Sequence, residues 1–336
     1  MKGEWLRTNV RGAALEGNAL LDAVDRPLWI YLPPEYARDP ERRFPTCYFL
    51  HPYLSSGASW SQSSPFARTV PERMDALVAD GKIPPFIGVF PDGSTALGGT
   101  QWNNSPAVGN YQDYLVQDVV PHVDHSFRTF AQGESRLVLG RSSGGYGALL
   151  LGKNHPDVFS HIHANAADSF FEYCYLPDFP KAAGALLNAG GVAAWFRDFT
   201  ARAQATKMRS DDFSVINIVA MAASYSPDAD APLGLTLPFD LDTARPREAV
   251  FARWLEADPV RFIPANPARV SRLKSAFVEC GTRDEYNMRW GMRMVARALE
   301  EVGVPVTHEE FDDGHGGTNY RFDRVLSVMV PKLATK

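Results

Sequence analysis

The sequence predicts an α/β fold, with a mostly parallel central sheet, helices on both faces and a mainly helical insertion. Three observations carry this expectation. Short apolar runs alternate with longer helical patterns along most of the chain, as they do where buried parallel strands are covered by helices. The apolar run Arg136-Leu137-Val138-Leu139 leads through Gly140-Arg141-Ser142-Ser143-Gly144 into Gly145-Tyr146-Gly147-Ala148-Leu149-Leu150-Leu151, which reads as strand, sharp turn and helix. Residues 168–267 lose the alternation and mark the insertion.

Taken in order, strands are expected over residues 27–32, 46–50, 86–90, 136–139, 161–166, 275–280 and 304–311. Helices are expected over residues 70–80, 111–122, 145–154, 287–302 and 323–333. The core is then residues 1–167 and 268–336, with 168–267 lying over the strand ends as a cap. The insertion is rich in aromatics and broken in its middle by Pro227, Pro232, Pro238 and Pro246. Most of those aromatics are expected to form the insertion's own small core. A few should face the site, Phe170 among them.

Composition narrows the function classes. The chain has 336 residues, 45% hydrophobic and 22% charged, with a net charge of −5. Acids and bases are interspersed, so neither nucleic acid nor a membrane surface is an expected partner. Cys47, Cys174 and Cys280 lie far apart, without metal-ligand spacing or a disulfide framework. No metal or organic cofactor is expected. The polar first ten residues lack the apolar core of a signal peptide, and the expected location is cytoplasmic. A homodimer is compatible with a chain of this size.

The chemistry is read from the turn. Gly140-Arg141-Ser142-Ser143-Gly144 fits G-x-S-x-G in the strand–turn–helix context of a nucleophile elbow. The small flanking residues suit a serine held in a strained backbone conformation. Ser143 lacks a glycine two positions before it, so Ser142 is the candidate nucleophile. A serine hydroxyl needs a base, and the base needs an acid to fix its tautomer. Asp284 follows the strand over 275–280 through Gly281-Thr282-Arg283, with Glu285 as its neighbouring alternative and a helix cap as its structural role. His315 stands in the glycine-rich Asp312-Asp313-Gly314-His315-Gly316-Gly317 after the last strand.

Two N–H groups are needed for the oxyanion. Ser143 supplies one and Tyr53 the other, in the loop His51-Pro52-Tyr53-Leu54-Ser55-Ser56-Gly57, with Leu54 the next choice. Pro52 has no N–H, and His51 is expected to brace the loop. Leu54, Arg141 and Phe170 are the candidate substrate contacts.

Together these residues resemble the esterase D / enterochelin-esterase-like family of α/β-hydrolases, which also takes in S-formylglutathione hydrolases, feruloyl esterases and mycolyltransferases. Further matching segments are Pro91-Asp92-Gly93, Asn104-Ser105-Pro106, Gly109-Asn110-Tyr111-Gln112-Asp113-Tyr114 and Asp118-Val119-Val120-Pro121. The resemblance covers roughly residues 27–167 and 272–332. It implies an α/β-hydrolase fold and a serine carboxylesterase acting on a small-molecule ester through an acyl-enzyme on Ser142. The alternatives are an acyltransferase or thioesterase with the same triad, and a non-catalytic binding homologue. Leu54-Ser55-Ser56 stands where S-formylglutathione hydrolases carry Thr-Cys, which argues against that activity.

Overall fold

Every predicted strand lies in one eight-stranded sheet. The computed structural model describes residues 2–335; Met1 and Lys336, the outer ends of the expected core segments, lie outside the described residues. The strands are β1 (Glu4–Arg11), β2 (Asp25–Leu32), β3 (Thr46–Leu50), β4 (Ile87–Pro91), β5 (Asn104–Ser105), β6 (Gly109–Asn110), β7 (Arg136–Arg141), β8 (His161–Asn165), β9 (Ser275–Gly281) and β10 (Val306–Phe311). The sheet order is β1-β2-β4-β3-β7-β8-β9-β10, and β5 and β6 form a separate two-stranded ribbon. The β1–β2 and β2–β4 pairs are antiparallel and the remaining pairs of the eight-stranded sheet are parallel, while β5 and β6 pair antiparallel.

The central strands are buried throughout except at Arg141, the last residue of β7, which explains why they read as continuous apolar runs. Their side chains divide by the two-residue period of a strand. In β3, Tyr48 and Leu50 join the larger hydrophobic cluster, whereas Cys47 and Phe49 join the cluster on the opposite face. Helix Ser143–Asn154 lies against the first face. Helices Val70–Ala79 and Phe322–Met329 lie against the second. β1 was not expected from the sequence. It is an edge strand of mixed composition, exposed or partly exposed except at buried Val10, and it carries no continuous apolar run. The helical segment beginning at Tyr111 continues to Ser126, past the expected end at residue 122, through a π-helical turn at Tyr114–Val119 that precedes Pro121.

Between β8 and β9 the chain is mainly helical, with long helices at Phe179–Asn188, Val192–Ala205, Asp212–Tyr225 and Glu248–Glu256. Their aromatics do not form a small core of their own. Tyr175, Phe179, Trp195, Phe199, Tyr225 and Trp254 belong to the same cluster as one face of the sheet. The junction is direct, because Tyr146 of the helix after the elbow meets Tyr225 with ring centroids 5.8 Å apart. Among the described residues, no helix is long and apolar enough to cross a membrane.

Candidate active site

Five polar residues gather where the parallel strands end: Ser142 after β7, Asp168 after β8, Asp284 after β9, His315 after β10, and Tyr53 in the loop after β3. Ligand sites of such sheets lie beyond the carboxyl ends of the strands. Ser142, Asp168, His315 and Tyr53 all line one pocket, of about 190 Å³, while Asp284 sits behind His315.

Ser142 has φ 54° and ψ −125°, a conformation that a non-glycine residue rarely adopts. The turn is held by its neighbours. Ser142 N–H donates to Asn165 O at 2.9 Å, and its carbonyl accepts the Tyr146 N–H at 2.8 Å. The two glycines of the motif are required by close approach. A Cβ on Gly140 would lie 2.4 Å from the Gly144 carbonyl carbon, and one on Gly144 would lie 2.1 Å from Leu50 O.

Asp284 and His315 meet as expected from their strand-end positions. His315 Nδ1 lies 2.8 Å from Asp284 Oδ2, and the Asp284 side chain is wholly buried. Asp284 Oδ1 accepts the N–H groups of Tyr286 and Met288 at the start of helix Met288–Glu301, so the cap role and the histidine-orienting position coexist. Glu285 bonds elsewhere, its Oε2 accepting the His315 backbone N–H at 2.8 Å. The ring of Tyr286 packs edge-on against His315 at 4.8 Å.

The loop after β3 is fixed from beneath. His51 Nε2 accepts the Gly93 N–H at 2.8 Å, so Nδ1 carries the proton and donates to Pro52 O at 2.9 Å. Burial lowers the pKa of His51 and favours this neutral form. Asp92 Oδ2 accepts the Gly57 N–H, while Oδ1 pairs with buried Arg26 at 2.6 Å. Tyr53 and Ser143 keep their backbone N–H groups without a partner among the described residues. The Leu54 N–H is taken by Gly98 O at 3.2 Å, which leaves Tyr53 as the free donor of the pair.

Sequence reading missed Asp168 and Gln101. Both are buried. Asp168 Oδ1 accepts the Ser142 hydroxyl at 3.3 Å, and Oδ2 accepts from Tyr175 Oη at 2.7 Å and Gln101 Nε2 at 3.1 Å. Gln101 also donates to Ser143 Oγ at 2.7 Å. Burial pushes the Asp168 carboxyl upward, against the pull of the Tyr175 hydroxyl, His315, Gln101 and Ser142. The signal for Asp168 was present, since it stands just beyond a parallel strand as Asp284 does.

The candidate substrate contacts separate. Arg141 lines the pocket. Leu54 and Phe170 do not: Leu54 is 42% exposed, and the Phe170 ring rests on Tyr173 with centroids 4.4 Å apart. Tyr175, Phe213 and Asn217 from the segment between β8 and β9 line it instead.

The sheet order and the serine turn define an α/β-hydrolase. The chain belongs to the esterase family whose model is described as "Putative esterase", matched over residues 23–323. It is similar to an endo-1,4-beta-xylanase/feruloyl esterase of Xylanibacter ruminicola, with 29% identity over 140 residues, covering 39% of this chain and 18% of that protein. It is likewise similar to Esterase Rv1288 of Mycobacterium tuberculosis, with 29% identity over 114 residues, covering 32% of this chain and 24% of that protein. The chain thus spans a quarter or less of the length of these curated relatives. Among solved structures, a ferulic acid esterase superposes with TM-score 0.65 at 16% identity, covering 99% of each chain. The fluorophosphonate-binding serine hydrolase FphF of Staphylococcus aureus superposes with TM-score 0.57 at 13% identity, covering 98% of this chain and 99% of that one. These likenesses establish the shared fold.

Proposed function

We propose that the chain is a serine carboxylesterase that hydrolyses a small-molecule ester through an acyl-enzyme on Ser142. The observation that carries this reading is the meeting, at one pocket, of a strained Ser142 and a His315 whose Nδ1 is 2.8 Å from buried Asp284.

Ser142 Oγ attacks the ester carbonyl carbon while His315 Nε2 takes its proton. Asp284 accepts the Nδ1–H, which fixes the tautomer and stabilises the imidazolium. The carbonyl oxygen becomes the oxyanion and receives the N–H groups of Tyr53 and Ser143. Collapse breaks the bond to the alcohol oxygen, which leaves with the proton from His315. Water then enters and gives a proton to His315 as its oxygen bonds to the acyl carbon; the bond to Ser142 Oγ breaks, Oγ takes the proton back from His315, and the acid leaves. In the resting geometry the Ser142 hydroxyl faces Asp168. Attack therefore needs rotation about one side-chain bond toward His315, a tightening common on substrate binding. Residues 168–267 act as the cap, contributing Tyr175, Phe213 and Asn217 to the pocket wall. The three cysteines are buried free thiols, which supports a reducing, cytoplasmic setting.

Hydrolysis of 4-nitrophenyl acetate by the wild type and by Ser142→Ala tests the proposal. The expected loss in kcat is at least about 10³-fold. Full activity in Ser142→Ala would remove Ser142 from the mechanism.

A further inference from the structure

Arg141 sits between the candidate active site and a second cleft. The pocket that holds Ser142 and His315 is about 190 Å³, below the roughly 300–1,000 Å³ usual for ligand pockets. The second cleft is about 680 Å³, and Arg141 lines both. Gly317, Asn319 and Tyr320, which follow His315 in the chain, form part of its wall. The leaving alcohol must lie beside His315, because that imidazole returns the proton to it. The alcohol half of a substrate would therefore lie on the side of the pocket lined by His315 and by Arg141, the residue shared with the second cleft.

The cleft carries excess positive charge. Arg68, Arg73 and Arg141 line it, with Asp323 the one acid of the set. Asp323 is already paired with Arg73 at 2.7 Å. Arg141 is partly buried and, among the described residues, has only neutral hydrogen-bond partners, Thr318 Oγ1 and Asn319 Oδ1, both at 3.4 Å. A desolvated guanidinium without a carboxylate is costly, and burial lowers the Arg141 pKa with no acid opposing it. Arg68 forms no ion pair among the described residues. The neighbouring Glu72 is occupied in capping helix Val70–Ala79 through Thr69. Two aromatic rings complete the wall: Phe66 is fully exposed and Tyr320 is 41% exposed.

We propose that this cleft is the alcohol-side subsite and that it takes an alcohol component bearing a carboxylate, held by Arg141 and Arg68. The proposal rests on the esterase reading and names its substrate class. The planar guanidinium matches a carboxylate with two parallel hydrogen bonds. Phe66 and Tyr320 offer apolar surface to a ring or sugar body. The overall charge of −5 would by itself disfavour an anionic substrate. A preference for one is therefore diagnostic of a local site.

The test compares two acetyl esters with the same acyl group and nearly the same chromophore: 4-nitrophenyl acetate and the acetyl ester of 5-hydroxy-2-nitrobenzoate. The readout is the ratio of kcat/KM for the carboxylate-bearing ester to that for the neutral one. Being internal to each preparation, the ratio is insensitive to partial misfolding. Wild type is expected to favour the carboxylate-bearing ester, with the ratio falling about tenfold or more in Arg141→Gln and in Arg68→Gln. Raising the ionic strength should lower the wild-type ratio in the same direction. Turnover of both esters with a ratio unchanged by either substitution overturns the subsite alone. Turnover of neither ester overturns the esterase reading on which it rests.

Discussion

Asp284 faces two structures at once, with Oδ2 2.8 Å from His315 Nδ1 and Oδ1 accepting the N–H groups that open helix Met288–Glu301. Asp284→Asn keeps an oxygen for the helix but loses the charge that holds the imidazole tautomer. It should lower kcat by about 10⁴-fold while leaving the fold intact. Glu285→Gln keeps an acceptor for the His315 backbone N–H and should cost less than about tenfold. Steady-state kinetics of the two variants with 4-nitrophenyl acetate makes the comparison. Equal losses would contradict the assignment of Asp284 over Glu285.

Asp168 is predicted to make stability fall as pH rises. Burial raises its folded pKa above the unfolded value of 3.8. The native state therefore binds more protons than the unfolded chain between those two values. The favourable contribution is complete below the unfolded pKa and is lost as pH rises through the folded one. Asp168→Asn removes this term. The melting temperature of the variant minus that of the wild type should become more positive from about pH 4 to about pH 8. A difference constant across that range would show that burial does not hold the proton on Asp168.

Gly144 has no room for a methyl group. A Cβ there would lie 2.1 Å from Leu50 O, backbone that cannot move without disturbing β3. Gly144→Ala should destabilise by about 1–3 kcal/mol or more through overpacking and should distort the serine turn. Gly316→Ala, with nothing within 4 Å of the added carbon, should change stability by less than about 0.5 kcal/mol. Thermal melts of both variants check the contrast, and equal shifts would refute it.

The Arg26–Asp92 pair lies beneath the loop after β3, at 2.6 Å with both side chains buried. Removing one partner strands the other, so Arg26→Met should destabilise by about 3–5 kcal/mol. Because Asp92 also receives the Gly57 N–H, kcat should fall with stability. Denaturant unfolding together with kinetics below the unfolding transition checks both effects. Wild-type stability in Arg26→Met would show that the pair contributes little.

Much of this architecture was legible because buried parallel strands are continuous apolar runs and the serine turn demands glycine. Strands β3, β4 and β7 announced themselves in this way, being buried almost throughout. β1 did not, because an edge strand with Arg7, Asn9 and Arg11 needs no apolar face for half its residues. The meeting of Asp284 and His315 was legible from chain order and strand-end position. Asp168 occupies an equivalent strand end, but a lone acid at the edge of an irregular insertion carries no motif. The insertion's aromatics were legible as buried. Their continuity with the sheet's face depends on contacts such as Tyr146 with Tyr225, which no local pattern encodes.

The proposed activation of Ser142 by His315 makes the serine reactive toward phosphonylating reagents. The most direct measurement of that activation is intact-protein and peptide mass spectrometry after treatment with a fluorophosphonate. Rapid addition of one phosphonyl group, located on Ser142, is the expected result. Labelling should be abolished in Ser142→Ala and strongly slowed in His315→Ala. A label on another residue, or labelling that persists in Ser142→Ala, would contradict it.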